Sequence, residues 1–290
     1  MKRTLVVLLC AAAMTSCLGS QKALSTPVES LAEKPGPTAG PTRILMEEES
    51  PFGKVFVVEE DGLRVLRFDR PDGDNQSELR VGNPDDVPME CIRLAAVALA
   101  HMETPRRVLM IGLGGGNFGT LLWNTIDAIE IDAVEINPVV VRAAREFFYL
   151  PTDPSYRVHV GDGREFVQES DARFDLIFID AYNGDDIPTH LAKRDFFSLV
   201  KTRLAPEGVA VLNVAVPDEK EAALVGVFTS VFPDTVCYRA RKDDNLILVG
   251  TCGPSLEAGE VHRRAGKLTS ELAIPFDLVE EADKRTECEK

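Results

Sequence analysis

The chain has 290 residues, of which 44% are hydrophobic and 27% are charged, a composition typical of one globular domain with small additions. Its formal net charge of -15 disfavours nucleic acid as a partner and favours a small cationic ligand. Acidity also keeps proteins soluble, so charge alone does not name the substrate. After the first twenty residues, no apolar run is long enough to span a bilayer.

The N-terminus has the pattern of an export signal. Two basic residues precede a short apolar run, and small residues lead to Cys17. This cysteine resembles that of the bacterial lipobox, although Met14 stands where leucine is preferred. We predict a signal peptide over residues 1–17, lipidation of Cys17 and an exported lipoprotein anchored on the periplasmic side. Without a functional signal, the protein would be cytoplasmic.

The next segments are predicted from composition and periodicity. Residues 18–42 are rich in proline and small polar residues, which is typical of a flexible linker. Strand patterns at 54–58 and 63–68 flank an Asp-Gly turn signal, so a small antiparallel β-unit is predicted over residues 43–87. Apolar residues then follow helical spacing over 89–102.

Strand and helix patterns alternate between residues 107 and 250. Five strand patterns, each followed by a helix pattern, precede two strand patterns joined by a short polar link, which predicts a closing hairpin. This order predicts a doubly wound α/β domain over residues 88–255 with a seven-stranded sheet. Residues 256–290 are predicted to form a C-terminal helix and a polar tail that frays from residue 281.

The cysteines and histidines show no metal-binding pattern. No C-x-x-C pair is present and the four histidines lack ligand spacing, so no metal site is predicted. An oxidising compartment would allow one disulfide to form, but we predict unpaired structural cysteines. The cysteines concerned are Cys91, Cys237, Cys252 and Cys288.

A glycine-rich turn ends the first strand of the alternating region. Glycines there let the backbone approach a ligand closely, and the helix that follows offers free N–H groups. The turn also fits G-x-G-x-x-G, which alone is a weak indication of a dinucleotide. The candidate cofactor-binding residues here are Gly112, Gly114, Gly115, Gly116 and Asn117.

Acids stand at the ends of the next three strands, where ligands bind in such sheets. Glu135 is placed to accept hydrogen bonds from ribose hydroxyls. Asp162, followed by Gly163, is placed to accept an adenine amino group, with a plain Asp-Gly turn as the alternative. Asp180 could deprotonate an incoming amine or hold its charge. We expect the three carboxylates to face one cleft.

Four motifs in this order resemble the spermidine synthase (polyamine aminopropyltransferase) family: GGGN at 114–117, VEIN at 134–137, GDG at 161–163 and FDLIFIDAYNGDDIP at 174–188. The resemblance covers roughly residues 50–250. It implies a Rossmann-like fold of the class I methyltransferase type and aminopropyl transfer from decarboxylated S-adenosylmethionine to a polyamine. It implies no metal and no tightly bound cofactor. It assigns ribose to Glu135, adenine to Asp162 and the catalytic base to Asp180.

The departures from that family concern the amine side. Asn117 stands where the family has an aspartate that helps to hold the donor, and Asn183 replaces an acid that grips the substrate amine. Of a Tyr-His-Glu motif, only Glu90 remains. Tyr182 either contacts the substrate or packs its own loop. Tyr182, Asn183 and Glu90 are the candidate substrate-binding residues, in a site whose nucleoside half is predicted intact and whose amine half is altered.

Three functions stay open from the sequence. The first is a transferase that uses S-adenosylmethionine or its decarboxylated form as co-substrate and moves an aminopropyl or methyl group to a small amine or polyamine. The second is an NAD-dependent dehydrogenase, which Asp162 and the closing hairpin disfavour. The third is an exported binding protein that retains the fold, which export favours because sulfonium donors are made in the cytoplasm. We predict the transferase, with membrane contact only through a lipid anchor; a homodimer is left open.

Overall fold

The computed structural model describes residues 42–182, 186–242 and 244–288. The predicted signal peptide with Cys17, the linker up to residue 41 and the candidate Asn183 lie outside the described residues. The described residues belong to one compact unit. Within the described ranges, no helix combines the length and apolarity needed to cross a bilayer.

The N-terminal β-unit has four antiparallel strands, two more than the sequence pattern indicates: β1 (Arg43–Ser50), β2 (Gly53–Glu60), β3 (Leu63–Phe68) and β4 (Asn75–Arg80). The outer strands β1 and β4 are rich in charged and polar residues, so they lack an apolar strand pattern. Val55, Val57 and Leu66 pack against a later helix through Val139 and Val140. The unit is therefore attached to the larger sheet by a shared core.

The main sheet is mixed and has eight strands in the described residues, ordered β12-β10-β11-β9-β8-β5-β6-β7. The five central and edge strands that alternate with helices are parallel: β5 (Arg107–Ile111), β6 (Glu130–Glu135), β7 (Tyr156–Val160), β8 (Phe174–Ile179) and β9 (Leu204–Val214). The others are antiparallel: β10 (Thr235–Arg239), β11 (Leu246–Thr251) and β12 (Arg285–Thr286). The predicted α/β fold and closing hairpin are confirmed, with one strand more than the seven predicted.

Helices cover both faces of this sheet because its strands are apolar on both sides. Val108 and Met110 face one core, and Leu109 and Ile111 face the other. The helices are α1 (Glu90–Ala96), α2 (Asn117–Thr125), α3 (Pro138–Phe147), α4 (Gly163–Glu169), α5 (Arg194–Arg203), α6 (Asp218–Thr229), α7 (Ala258–Glu271) and α8 (Leu278–Ala282). A 3₁₀ segment, Val97–His101, continues α1.

The C-terminal tail is built into the fold, so the expectation of a frayed tail is wrong. Strand β12 pairs with β10, and Cys237 forms a disulfide with Cys288, so these two cysteines are not unpaired. Cys91 and Cys252 form no disulfide with another described residue. Lys284 is buried, with Nζ 2.5 Å from Glu90 Oε1 and 2.7 Å from Glu281 Oε2. Two charged residues of the polar tail, Glu281 and Lys284, are thus paired inside the protein, whereas Asp283, Arg285 and Glu287 are exposed.

We expect the Cys288→Ser variant to lose about 2–4 kcal/mol of unfolding free energy, because the disulfide closes a loop with a sequence separation of 51. Urea denaturation of the oxidised protein and the variant measures the difference. Cys252→Ser, at a half-buried free cysteine, is the matched control and should unfold near the parent midpoint. Coincident curves for the parent and Cys288→Ser would contradict the structural role of the disulfide.

Candidate active site

A cavity of about 920 Å³ lies at the carboxyl ends of the parallel strands. Glu135 at the end of β6, Asp162 after β7 and Asp180 after β8 all line it. Ligands occupy this edge in open α/β sheets because the strand ends and helix N-termini converge there. The structure therefore brings the three predicted carboxylates to one cleft.

The glycine-rich turn divides into two parts. Gly112 and Gly114 line the cavity, and Gly112 has a φ of +92°. A β-carbon on Gly112 would lie 2.0 Å from the carbonyl oxygen of Asp180. Gly115 and Gly116, which we expected to bind the cofactor, instead pack against Phe148 and Leu150. Their role is to let α2 approach these side chains closely.

Strand β4 holds the glycine turn from the N-terminal unit. Ser77 Oγ accepts a hydrogen bond from Gly115 N at 2.8 Å, and Asn117 Nδ2 donates to the carbonyl oxygen of Glu78 at 2.8 Å. Asn117 also lines the cavity. Ser77 was not predicted, because a lone serine in a polar strand shows no pattern. The four-stranded unit thus supports the ligand-facing turn.

We expect Ser77→Ala to weaken the binding of methylthioadenosine by about 3- to 10-fold and to lower stability by about 1–2 kcal/mol. The buried Gly115 N–H would lose its acceptor, and an unsatisfied buried donor has a cost of this size. Calorimetric titration and urea denaturation measure the two effects. Ser270→Ala, in an exposed part of α7, is the control. Unchanged affinity and stability in Ser77→Ala would show that the turn does not need this bond.

Glu135 is held by the backbone around it. Its carboxyl oxygens accept hydrogen bonds from Leu113 N at 3.0 Å and Asn137 N at 2.9 Å. Burial raises the pKa of the Glu135 carboxyl, while these backbone N–H groups oppose the rise. Asn137 also donates to Ser50 Oγ at 2.9 Å, which joins the β1–β2 turn to the same corner. The carboxylate is therefore fixed at the cavity wall before a ligand arrives.

Asp162 is both a helix cap and a cavity residue. Its Oδ1 accepts hydrogen bonds from Arg164 N at 2.8 Å and Glu165 N at 3.1 Å, which caps α4. Its Oδ2 lies 2.8 Å from His190 Nε2, and His190 also lines the cavity. Gly163 lines the cavity too, and a β-carbon there would lie 2.4 Å from Ile111 Cγ2. His190 lay outside every sequence motif and was not predicted.

Asp180 meets a neutral partner. Its Oδ1 accepts a hydrogen bond from Asn213 Nδ2 at 2.8 Å, and its backbone N–H donates to Ile111 O. Burial raises the pKa of the Asp180 carboxyl. A carboxyl group with a raised pKa is a better proton acceptor than an exposed one. This environment suits a general base.

Of the candidate substrate-binding residues, Glu90 differs from expectation, and Tyr182 agrees with one of its two predicted roles. Glu90 does not line the cavity: its Oε2 accepts from Arg241 N and Lys242 N, and its Oε1 binds Lys284, so its assignment to the substrate is wrong. Tyr182 lines the cavity, but its hydroxyl donates to Asn213 O and accepts from Ala215 N. The hydroxyl of Tyr182 therefore fastens its own loop to the end of β9.

The cavity has a strongly acidic wall. Eight carboxylate side chains line it, and none of its described lining residues is a lysine or an arginine. They are Asp74, Glu78, Glu135, Asp162, Asp180, Asp218, Glu221 and Asp244. Arg239 Nη2 pairs with Oε1 of one of them, Glu221, at 2.5 Å, which leaves the lining with an excess of acidic residues. Cations are attracted into a cleft of this kind, whereas a ligand carboxylate is repelled.

Comparison with known proteins agrees with this geometry. A family model described as the spermine/spermidine synthase domain matches residues 90–228. A polyamine aminopropyltransferase of Vibrio vulnificus is 32% identical over 244 residues, which cover 82% of this chain and 82% of that protein. The chain belongs to the spermine/spermidine synthase family. It is therefore a member of a group of transferases with a methyltransferase-like fold.

Solved structures extend the likeness in fold. A probable spermidine synthase from Corynebacterium glutamicum has a TM-score of 0.65 at 20% identity, covering 76% of this chain and 86% of that chain. Human methyltransferase-like protein 13 in complex with SAH has a TM-score of 0.59 at 26% identity, covering 65% of this chain and 94% of that one. The predicted Rossmann-like fold of the class I methyltransferase type is thus confirmed.

Proposed function

We propose that the protein transfers an aminopropyl group from decarboxylated S-adenosylmethionine to an amine. The observation that carries the proposal is the single cleft where Glu135, Asp162 and Asp180 meet beside a glycine turn, with no lysine or arginine among its described lining residues. The Vibrio vulnificus relative, a polyamine aminopropyltransferase, supports the same reaction class.

The nucleoside would occupy the side of the cleft formed by β5, β6 and β7. Glu135 has its carboxylate oriented by two backbone N–H groups, which leaves lone pairs for the ribose hydroxyls. Asp162 keeps acceptor capacity on Oδ2 beside His190, which suits the adenine amino group. Gly112 and Gly114 allow the close approach of the donor.

The acidic wall favours the decarboxylated donor over S-adenosylmethionine itself. The methionine carboxylate would meet described lining residues that include eight acids and no lysine or arginine, and the neighbouring Arg239 is already paired with Glu221, so the ligand charge would stay uncompensated. The decarboxylated donor carries only positive charge in its tail, so the same wall attracts it. This argument supports aminopropyl over methyl transfer.

Asp180 would act on the acceptor. A neutral amine nitrogen attacks the methylene carbon bound to the sulfonium, the carbon–sulfur bond breaks, and its electron pair stays on sulfur. The products are the aminopropylated amine and methylthioadenosine. The proton released from the amine passes to the carboxylate of Asp180, whose burial favours proton acceptance.

The test is to incubate the protein with decarboxylated S-adenosylmethionine and a panel of diamines and polyamines, and to measure methylthioadenosine. We expect amine-dependent formation of methylthioadenosine in a one-to-one ratio with the aminopropylated product. If no amine gives product although the donor binds, the protein is a binding module that retains the fold. Binding of NAD without binding of S-adenosyl compounds would favour a dehydrogenase.

Methyl transfer from S-adenosylmethionine is the second candidate. The likeness to a human methyltransferase-like protein supports it, as does Asn117, whose neutral amide replaces the acid expected for an aminopropyl donor. The discriminating assay supplies S-adenosylmethionine with the same amines. Methylated amine together with S-adenosylhomocysteine would select this reaction instead.

The acceptor remains a small amine or polyamine in this proposal. Asn183 stays a candidate contact for the amine, and Tyr182 would contribute its ring edge, because its hydroxyl is engaged by the backbone. We place Asp180 closest to the reacting nitrogen. A mass spectrum of the product would identify which amine carries the new group.

We also propose that the protein is exported and anchored through Cys17. The lipobox-like sequence supports this, and the Cys237–Cys288 disulfide is of the kind that persists in an oxidising compartment. Membrane fractionation with labelled palmitate tests it: the intact chain should be labelled in the membrane fraction and Cys17→Ala should not. An unlabelled, cytosolic parent protein would overturn the anchor.

A further inference from the structure

A chain of two amide side chains joins Asp180 to the β10–β11 loop. Asn213, at the end of β9, is 4% exposed, and its Nδ2 donates to Asp180 Oδ1 at 2.8 Å. Asn245 Nδ2 in turn donates to Asn213 Oδ1 at 2.9 Å. All three residues line the cavity. We propose that Asn213 and Asn245 are positioning residues that set the side-chain orientation of Asp180 for the acceptor amine, an inference that rests on the proposed function.

The donor and acceptor order of these two hydrogen bonds determines the orientation of the Asn213 amide. Because Asn245 donates to the oxygen of Asn213, the NH₂ group of Asn213 must face Asp180. The reverse orientation would set the oxygen of Asn213 against the carboxylate. The backbone at this point is also fixed, since the hydroxyl of Tyr182 bridges Asn213 O and Ala215 N. The ends of β8 and β9 are thus tied together at Asp180.

A neutral donor is the appropriate partner for a base. A lysine or arginine beside the carboxyl would lower its pKa and neutralise its charge, whereas an amide orients it with a smaller effect. Among the described residues, Asn213 is the side chain that hydrogen-bonds the carboxyl of Asp180, through Oδ1. In the part of the chain that the structure describes, no hydrogen bond engages the second oxygen, Oδ2, and we assign this oxygen to the acceptor amine. Neither asparagine needs to touch the substrate for this role.

The decisive variant is Asn245→Asp, which keeps the size of the side chain and lies in a partly exposed loop. The new carboxylate can only accept, so the amide of Asn213 should reverse and turn its oxygen toward Asp180. We expect kcat to fall about 10- to 100-fold, while the KM for the amine and the Kd of the donor change less than about threefold. Asn245→Ala should have a smaller effect on kcat, because it removes the hydrogen bond to Asn213 without reversing the orientation of the Asn213 amide.

Two comparisons separate positioning from general damage. Asn83→Asp, at an exposed position, makes the same chemical change and should leave kcat at the parent value. In the Asp180→Asn background, Asn245→Asp should cause no further loss of kcat, because the residue it acts through has been removed. An additive loss, a kcat equal to that of Asn83→Asp, or an effect confined to KM would overturn the proposal.

Failure of the proposed function is distinguishable from failure of this inference. If the parent protein turns over no amine, the orientation of Asp180 is compared directly in crystal structures of the parent, Asn245→Asp and Asn83→Asp. The Asp180 carboxyl should rotate away from Asn213 in Asn245→Asp and keep the parent orientation in Asn83→Asp. An unmoved Asp180 carboxyl in Asn245→Asp, or the same movement in Asn83→Asp, would overturn the positioning role.

Discussion

Replacement of Asp180 by asparagine is expected to lower kcat for aminopropyl transfer by about 10²- to 10⁴-fold, the range for loss of a general base. Asparagine keeps the shape of the side chain and can accept the hydrogen bond from Asn213, so the fold should be retained. Binding of methylthioadenosine should change little, because Asp180 acts on the amine. Initial rates of methylthioadenosine formation and calorimetric binding measure the two quantities.

The pH dependence gives an independent check on the same residue. Burial raises the pKa of the Asp180 carboxyl, and only the ionised form accepts a proton. The parent kcat should therefore fall as the pH drops through this raised pKa and should be highest above it. The residual activity of Asp180→Asn should lack that acid limb. An unchanged kcat, or the same acid limb in the variant, would remove Asp180 from the mechanism.

Gly112→Ala is expected to abolish measurable donor binding and to destabilise the protein by about 2 kcal/mol or more. The added methyl group would lie 2.0 Å from the carbonyl oxygen of Asp180, and the backbone at Gly112 has a φ of +92°, which an L side chain rarely adopts. Relief requires movement of either the glycine turn or the strand end that carries the proposed base. Thermal unfolding and titration with methylthioadenosine measure both losses.

Gly226→Ala is the matched control for this substitution. Gly226 lies within α6, away from the cavity, and a β-carbon there would meet no atom within 4 Å. Alanine has the higher helix propensity, so the control should be as stable as the parent or more stable by up to about 1 kcal/mol. Full donor binding by Gly112→Ala would show that the turn can move without harm to the site.

The elements with strong local signals were predictable from the sequence. Strand β5 over Arg107–Ile111 contains an apolar run, 108–111, directly before the glycines, and α3 begins at Pro138 after Asn137, whose side chain caps the helix. Strand β12 was not predicted, because a strand of two residues in a charged tail is too short to show alternating hydrophobicity. Its position depends on pairing with β10. Pairing of Cys237 with Cys288 was equally invisible, since spacing in sequence does not reveal distance in space.

In the site too, residues with local sequence signals were predictable and residues placed by tertiary contacts were not. Glu135, Asp162 and Asp180 could be predicted because each ends a recognisable parallel strand. Glu90 was misassigned because its acidic side chain on α1 is satisfied by Lys284, which is distant in sequence. Ser77, His190, Asn213 and Asn245 could not be found, because each acquires its partner only through tertiary contacts. Side chains that orient other side chains carry little sequence signal of their own.

The buried ion pair between Lys284 and Glu90 also supports a loop outside the C-terminal tail. Lys284 compensates Glu90, and Glu90 in turn accepts hydrogen bonds from Arg241 N and Lys242 N in the loop that also carries Asn245. A protease cut just before Lys284 would leave the clipped segment attached through the Cys237–Cys288 disulfide, and its loss on reduction would leave every cavity residue in place but Glu90 uncompensated beneath that loop. Preparations of this protein should therefore be checked by intact mass before a weak activity is ascribed to its chemistry.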